Sequence, residues 1–144
     1  MKIGIIGLGD IAKKAYLPVL SEKEGIELVL CTRNKHTLHK LATKYRIQET
    51  AESIEELLTK GIDAAFVSTA TEAHFTIAEK LLANGIHVYI DKPISMNYEE
   101  TKRIVQLAKQ NNKIAMVGFN RRFIPKVKEL RENGKASFVL MQKN

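Results

Sequence analysis

The sequence contains a single cysteine, three prolines and no tryptophan in 144 residues. A lone Cys31 excludes an internal disulfide and any metal centre built from several thiolates, and it fits a reducing, cytoplasmic setting. No metal is expected. Long apolar runs are also missing. The opening stretch from Ile3 to Leu8 is too short for a signal peptide, and no segment approaches the ~20 apolar residues that span a bilayer. A soluble chain without a membrane partner is the expectation.

What is present is an ordinary globular composition, 44% hydrophobic and 27% charged, on a chain about one domain long. The net charge of +7 is uneven. Residues 1–100 hold 12 Lys or Arg against 14 Asp or Glu, whereas residues 101–144 hold 11 against 2. The basic tail could meet nucleic acid by counterion release, or be a solvated face that meets another part of a longer protein. No helix-turn-helix, zinc-ligand or aromatic RNA-binding motif accompanies it, so no specific nucleic-acid partner is expected.

Short β-rich runs alternate with amphipathic stretches, the pattern of a parallel sheet with crossover helices on both faces. Strands are predicted over 2–7, 26–31, 46–48, 63–68, 87–91 and 114–118. Helices are predicted over 10–20, 37–45, 54–60, 71–83 and from Asn97 to about Gln110. Pro18 should kink or shorten the first helix. Ser53 with Glu56, and Asn97 with Glu100, are helix-capping pairs. Six strands in this rhythm make a doubly wound α/β sheet of the Rossmann type, strand order 3-2-1-4-5-6, over residues 1–120. A further helix over 125–132, a stop at Gly134 and a strand over 136–141 do not fit that unit. Residues 121–144 therefore read as the crossover helix and first strand of a second domain, otherwise missing from this chain.

Gly7-Leu8-Gly9-Asp10-Ile11-Ala12 matches the G-x-G-x-x-A phosphate-binding fingerprint between the first strand and helix. Gly7 permits the tight turn, Gly9 admits the pyrophosphate, and Ala12 lets the helix pack closely. The helix start, at Asp10 and Ile11, offers free N–H groups and the positive end of the dipole. The alternative is a fold of this type with an empty or altered site. At the tip of the second strand, Cys31-Thr32-Arg33-Asn34-Lys35 contains no acid to bind ribose hydroxyls, and Glu27 lies at the opposite end of that strand. Thr32, Arg33 and Asn34 suit a 2′-phosphate, which favours NADP(H) over NAD(H). Stacking of Arg33 on adenine would suit either.

With that turn, then Ala70-Thr71-Glu72-Ala73-His74, Asp91-Lys92-Pro93 and Gly118-Phe119-Asn120-Arg121-Arg122-Phe123, the chain resembles the glucose-fructose oxidoreductase and inositol dehydrogenase (Gfo/Idh/MocA) family. The resemblance covers essentially the whole chain. It implies a catalytic Lys92 beside the nicotinamide, in contact with the substrate hydroxyl. Asp91 stands where the family has Glu, with a shorter reach. It further implies that His74 lies next to the cofactor, that Ser68, Thr69 and Ala70 face it, and that Asn120 and Arg121 border the nicotinamide and substrate cleft. For Lys92 the plainer reading is a surface lysine at a strand end, and for His74 a structural histidine.

The family's proton-transfer His and its Asp partner lie in the second domain, beyond this chain. The resemblance thus implies hydride transfer between nicotinamide and a sugar or cyclitol-like hydroxyl or ketone in the parent protein, with this polypeptide inactive alone. A homo-oligomer could form through the second domain or the final strand. The competing reading is a non-catalytic nucleotide-sensing or interaction module.

Overall fold

The computed structural model describes residues 1–132, so the strand expected over 136–141 and the stop at Gly134 lie outside the described residues. Six parallel strands form one sheet in the order β3-β2-β1-β4-β5-β6: β1 Lys2–Ile6, β2 Glu27–Cys31, β3 Glu49–Ala51, β4 Ala64–Val67, β5 His87–Ile90 and β6 Ala115–Val117. The α-helices are α1 Leu17–Leu20, α2 Lys35–Tyr45, α3 Ile54–Leu58, α4 His74–Ala83, α5 Tyr98–Gln110 and α6 Pro125–Glu132. The expected doubly wound topology is the one observed.

Strand alternation sends side chains to two cores. Ile3 and Ile5 of β1 with Leu28 and Leu30 of β2 meet Leu17 of α1 and Leu38 and Leu41 of α2. Val29, Ala65, Val67, Val88 and Ile90 point the other way, onto Leu57 of α3, Leu81 and Leu82 of α4 and Ile104 of α5. Gly4 makes the second packing possible: a Cβ there would sit 3.0–3.3 Å from Ile62 and Leu57 side chains. Because parallel strands must be covered on both faces, this division explains why five of the six strands read as apolar runs.

Four expectations need correction. The third strand spans Glu49–Ala51, not 46–48, because Arg46 turns left-handed at φ 55 to close α2 and the Ile47 N–H bonds to Ala42 O at 2.9 Å. Ile47 is then spent packing on the core. α3 stops at Leu58, since the Thr59 and Lys60 N–H groups bond back to Glu56 and Leu57 carbonyls and tighten the last turn. The helix expected from Thr71 begins as a 3₁₀ turn, Thr71–Ala73, before α4. Finally, the first helix runs over 10–20 as expected, but it is not shortened at Pro18, and its distortion lies in the turn before Pro18 instead of in the last turn. The chain widens into a π turn, Ala12–Tyr16, in which the Leu17 N–H donates to Ala12 O, and α1 resumes with Pro18 in its first turn. The missing Pro18 N–H is accommodated by the π turn before it.

Candidate nucleotide and reaction cleft

The Gly-rich turn lies where β1 meets the end of β4. Gly7 has φ +84, and a Cβ would fall 2.6 Å from Ser68 O and 2.7 Å from Thr69 N, so both conformation and space demand glycine. The turn is pinned from both neighbouring strands. Its Gly7 N–H donates to Cys31 O at 3.1 Å, and the Ser68 hydroxyl donates to Gly7 O at 2.8 Å with Ile6 O at 3.2 Å. Ser68 is buried, so its hydroxyl holds the turn's backbone.

Gly9 is different. Nothing lies within 4 Å of a Cβ built there, so no internal contact requires it, and the open space beside the helix start is where a phosphate would approach. Ala12 is fully buried against the sheet. The Lys13 N–H is taken by Gly9 O, whereas the N–H groups of Asp10 and Ile11 precede the first intrahelical bond. The Asp10 side chain is directed to Lys14 at 2.9 Å, whose hydrogen bond and charge hold its carboxyl below the usual range. Only its backbone N–H suits an anion.

From this turn a cleft of about 480 Å³ extends along the carboxyl ends of β1 and β2, lined by Thr32, Arg33, Ser53, Thr69, Ala70, Ala73 and Ile77 among others. Asn34 uses its Oδ1 to cap α2, accepting from Thr37 N–H at 2.9 Å, which leaves its amide nitrogen as the polar group to offer. Cys31 lines the same wall, and burial pushes its thiol up to about 11, with Glu56 and Glu55 adding to the effect. It is a neutral, apolar wall residue.

The strand-tip residues do not reveal three charged groups that the tertiary structure adds. Glu52 and Glu55 line the cleft, yet each is paired: Glu52 with Lys35 at 2.9 Å, and Glu55 with Lys80 at 2.6 Å. The Lys80 hydrogen bond, the Glu55 backbone N–H and the Lys80 charge hold the Glu55 carboxyl low. No sequence spacing links Glu55 with Lys80, 25 residues on. Among the described residues Arg33 makes no ion pair, so its guanidinium is the uncommitted cation of this end.

A second cleft, about 390 Å³, opens at the ends of β5 and β6, lined by Lys92, Phe119, Asn120, Arg121 and Arg122. The fold therefore brings Lys92 together with Asn120 and Arg121. The Asp91 carboxylate accepts from the Lys92 N–H at 2.8 Å and shapes the strand exit. The Lys92–Pro93 peptide is cis. Beside Gly118 lies an aromatic cluster the sequence did not signal: Phe66 stacks on Tyr89 at 4.6 Å, and Tyr16 meets both at 5.2 and 5.7 Å. Burial, first, then the Tyr89 hydrogen bond and the Asp91 charge, raise the Tyr16 phenol above its ordinary range. Gly118 fits against this cluster because a Cβ there would come 2.7 Å from the Tyr89 hydroxyl.

His74 does not face either cleft. It is 1% exposed, with Nδ1 2.9 Å from Pro93 O and Nε2 3.1 Å from Thr69 O. No group of three or more potential metal ligands occurs among the described residues, and no helix there is long and apolar enough to cross a membrane.

The family profile described as "Oxidoreductase family, NAD-binding Rossmann fold" (GFO_IDH_MocA) matches residues 1–119. The chain is 38% identical to the YceM protein of Salmonella typhimurium, over 100% of this chain and 47% of that protein. It is 28% identical to the myo-inositol 2-dehydrogenase of Thermotoga maritima, over 93% of this chain and 41% of the enzyme. Among solved structures, a Gfo/Idh/MocA family oxidoreductase from Vibrio cholerae superposes with a TM-score of 0.86 at 44% identity, covering 92% of this chain and 44% of that one. A dehydrogenase (MviM) from Clostridium difficile gives 0.86 at 43%, covering 94% and 44%. The chain thus spans less than half the length of these relatives. It belongs to the Gfo/Idh/MocA oxidoreductase family and forms that family's NAD(P)-binding Rossmann domain.

Proposed function

We propose that this chain holds NADP(H), in preference to NAD(H), for an oxidoreductase acting on a hydroxyl or ketone of a sugar or cyclitol. The observation that carries the cofactor reading is the cleft joining the Gly7 turn to a β2 tip that offers Thr32 and Arg33, which makes no ion pair among the described residues. Its two carboxylates, on Glu52 and Glu55, are each offset by a lysine. A planar guanidinium matches a 2′-phosphate in bidentate fashion.

When bound, the nicotinamide supplies the hydride acceptor or donor. The chain's own residues bind and orient. The Asp10 and Ile11 N–H groups hold pyrophosphate, Thr69 and Ala70 line the path, and the Lys92 ammonium with Asn120 and Arg121 borders the reacting end. Lys92 is the group here able to hold a proton near a substrate hydroxyl. The relatives' greater length supports a second domain beginning near residue 121 that completes the cleft, supplies the proton-transfer base and excludes water. Any oligomer contact would lie there. The 144-residue chain alone is expected to bind cofactor without turnover.

Fluorescence titration with NADPH and NADH tests the reading. Tighter NADPH binding, reduced at least tenfold by Arg33→Asp, is the expected result. Equal or stronger NADH binding would overturn the cofactor preference, and no binding of either at millimolar concentration would remove the proposal.

A further inference from the structure

We infer that His74 is a positioning residue for Lys92, tying the Lys92–Pro93 segment to the nucleotide-facing backbone at Thr69. The inference rests on the proposed role of Lys92 at the reacting end. The imidazole is buried at the first turn of α4, between the exits of β4 and β5, and each ring nitrogen meets one of those exits. One contact, Pro93 O, is the residue after Lys92. The other, Thr69 O, belongs to the wall of the nucleotide cleft, whose next residue is Ala70.

The segment has few other anchors. Pro93 carries no N–H, and the Lys92 N–H is spent on the neighbouring Asp91 carboxylate. Among the described residues, the His74 contact is the one hydrogen bond joining Lys92–Ile94 to a different element, with Ile94 packed on the core as the apolar anchor. Lys92 itself is exposed. Its placement over the second cleft is therefore inherited from the backbone that His74 holds.

Histidine suits this task for a geometric reason. A carbonyl oxygen only accepts, so both contacts are hydrogen bonds together when each ring nitrogen carries a hydrogen, and the ring places them on opposite sides. A glutamine amide has its donors on one nitrogen and reaches one carbonyl. The expected consequence is that His74→Gln frees one exit while leaving α4 and the sheet in place.

The test is amide hydrogen exchange by NMR on the 144-residue chain. In His74→Gln, exchange at Lys92 should quicken at least tenfold, while Leu81 in α4 and Val88 in β5 keep their protection. Unchanged exchange at Lys92, or equal loss everywhere, would overturn the inference. If the variant does not fold, NMR of the imidazole ring in the unaltered chain decides. Couplings across hydrogen bonds from the ring to both the Thr69 and Pro93 carbonyls support the tie, and coupling to one alone defeats it. NADPH added to the unaltered chain separates the two claims. If the Lys92 amide resonance stays still while that of Arg33 shifts, the role of Lys92 at the reacting end falls and the tie between the exits stands.

Discussion

Gly7 and Gly9 stand two residues apart under different constraints. Gly7 is required by the protein's own backbone, Gly9 only by what comes to the cleft. Gly7→Ala should cost well over about 1 kcal/mol in urea denaturation, because positive φ and a collision with Ser68 act together. Gly9→Ala should leave stability within about 0.5 kcal/mol and weaken NADPH binding at least tenfold, read by titration. Equal effects of the two on folding would contradict this division of labour. The glycine spacing was readable in the sequence. The use of the Ser68 hydroxyl on the turn was not, since 61 residues separate it from Gly7. Cys31 carries a pH prediction. Its thiol ionises near 9.0 when unfolded and at about 11 when folded, so the unfolded chain loses its proton first. Stability is fully present below pH 9 and declines between pH 9 and about 11. The stability difference between the unaltered chain and Cys31→Ala should therefore shift against the unaltered chain by on the order of 2 kcal/mol from pH 8 to pH 10.5. A difference that stays constant with pH would refute it.

At the scale of elements, caps and breakers decided the boundaries. Asn97 Oδ1 accepts from the Glu100 N–H at 2.9 Å, and Glu100 reaches back to the Met96 N–H, close to the pairing its spacing predicts. Asn97→Ala should cost about 1 kcal/mol, measured as a lower urea midpoint with unchanged slope. No change would mean that packing of Ile104 and Leu107 holds α5 alone. Elements with such local signals were legible. β3 was not: a three-residue strand with two polar positions has little periodicity, and its start depends on Arg46 and Ile47 closing the helix before it. The π turn was equally hidden. It follows from Pro18 lacking an N–H while Ala12 and Leu17 must both reach the core, a demand that only the packed sheet imposes. The same turn carries Tyr16 onto Phe66 and Tyr89.

For the whole molecule, the two clefts open along one edge, the carboxyl ends of the strands, where a doubly wound sheet separates its crossovers. A ligand bound to the folded state alone raises stability by mass action. NADPH at 100 times its dissociation constant should add about 2.7 kcal/mol, a rise in Tm on the order of 5–10 °C by calorimetry. Arg33→Asp should abolish most of that rise at the same NADPH concentration without lowering the cofactor-free Tm appreciably, because Arg33 makes no ion pair among the described residues. Phe119, Phe123 and Ile124 are exposed beside the second cleft. That surface supports the proposal that a further domain meets this edge in the longer relatives.

The sequence by itself determined the parallel α/β plan, the Gly7–Ala12 turn and the acid-free β2 tip, because each is written in neighbouring residues: apolar periodicity, capping pairs and fixed glycine spacing. Only the tertiary structure decided which distant groups meet. The Glu55–Lys80 pair, the Tyr16–Phe66–Tyr89 cluster, the Ser68 hydroxyl on Gly7 and the span of His74 from Thr69 to Pro93 each join segments from different crossovers. The strand order 3-2-1-4-5-6, expected from the rhythm of strands and helices, sets β1 beside β4 and β4 beside β5, but which side chains then touch is settled by packing that no local pattern encodes.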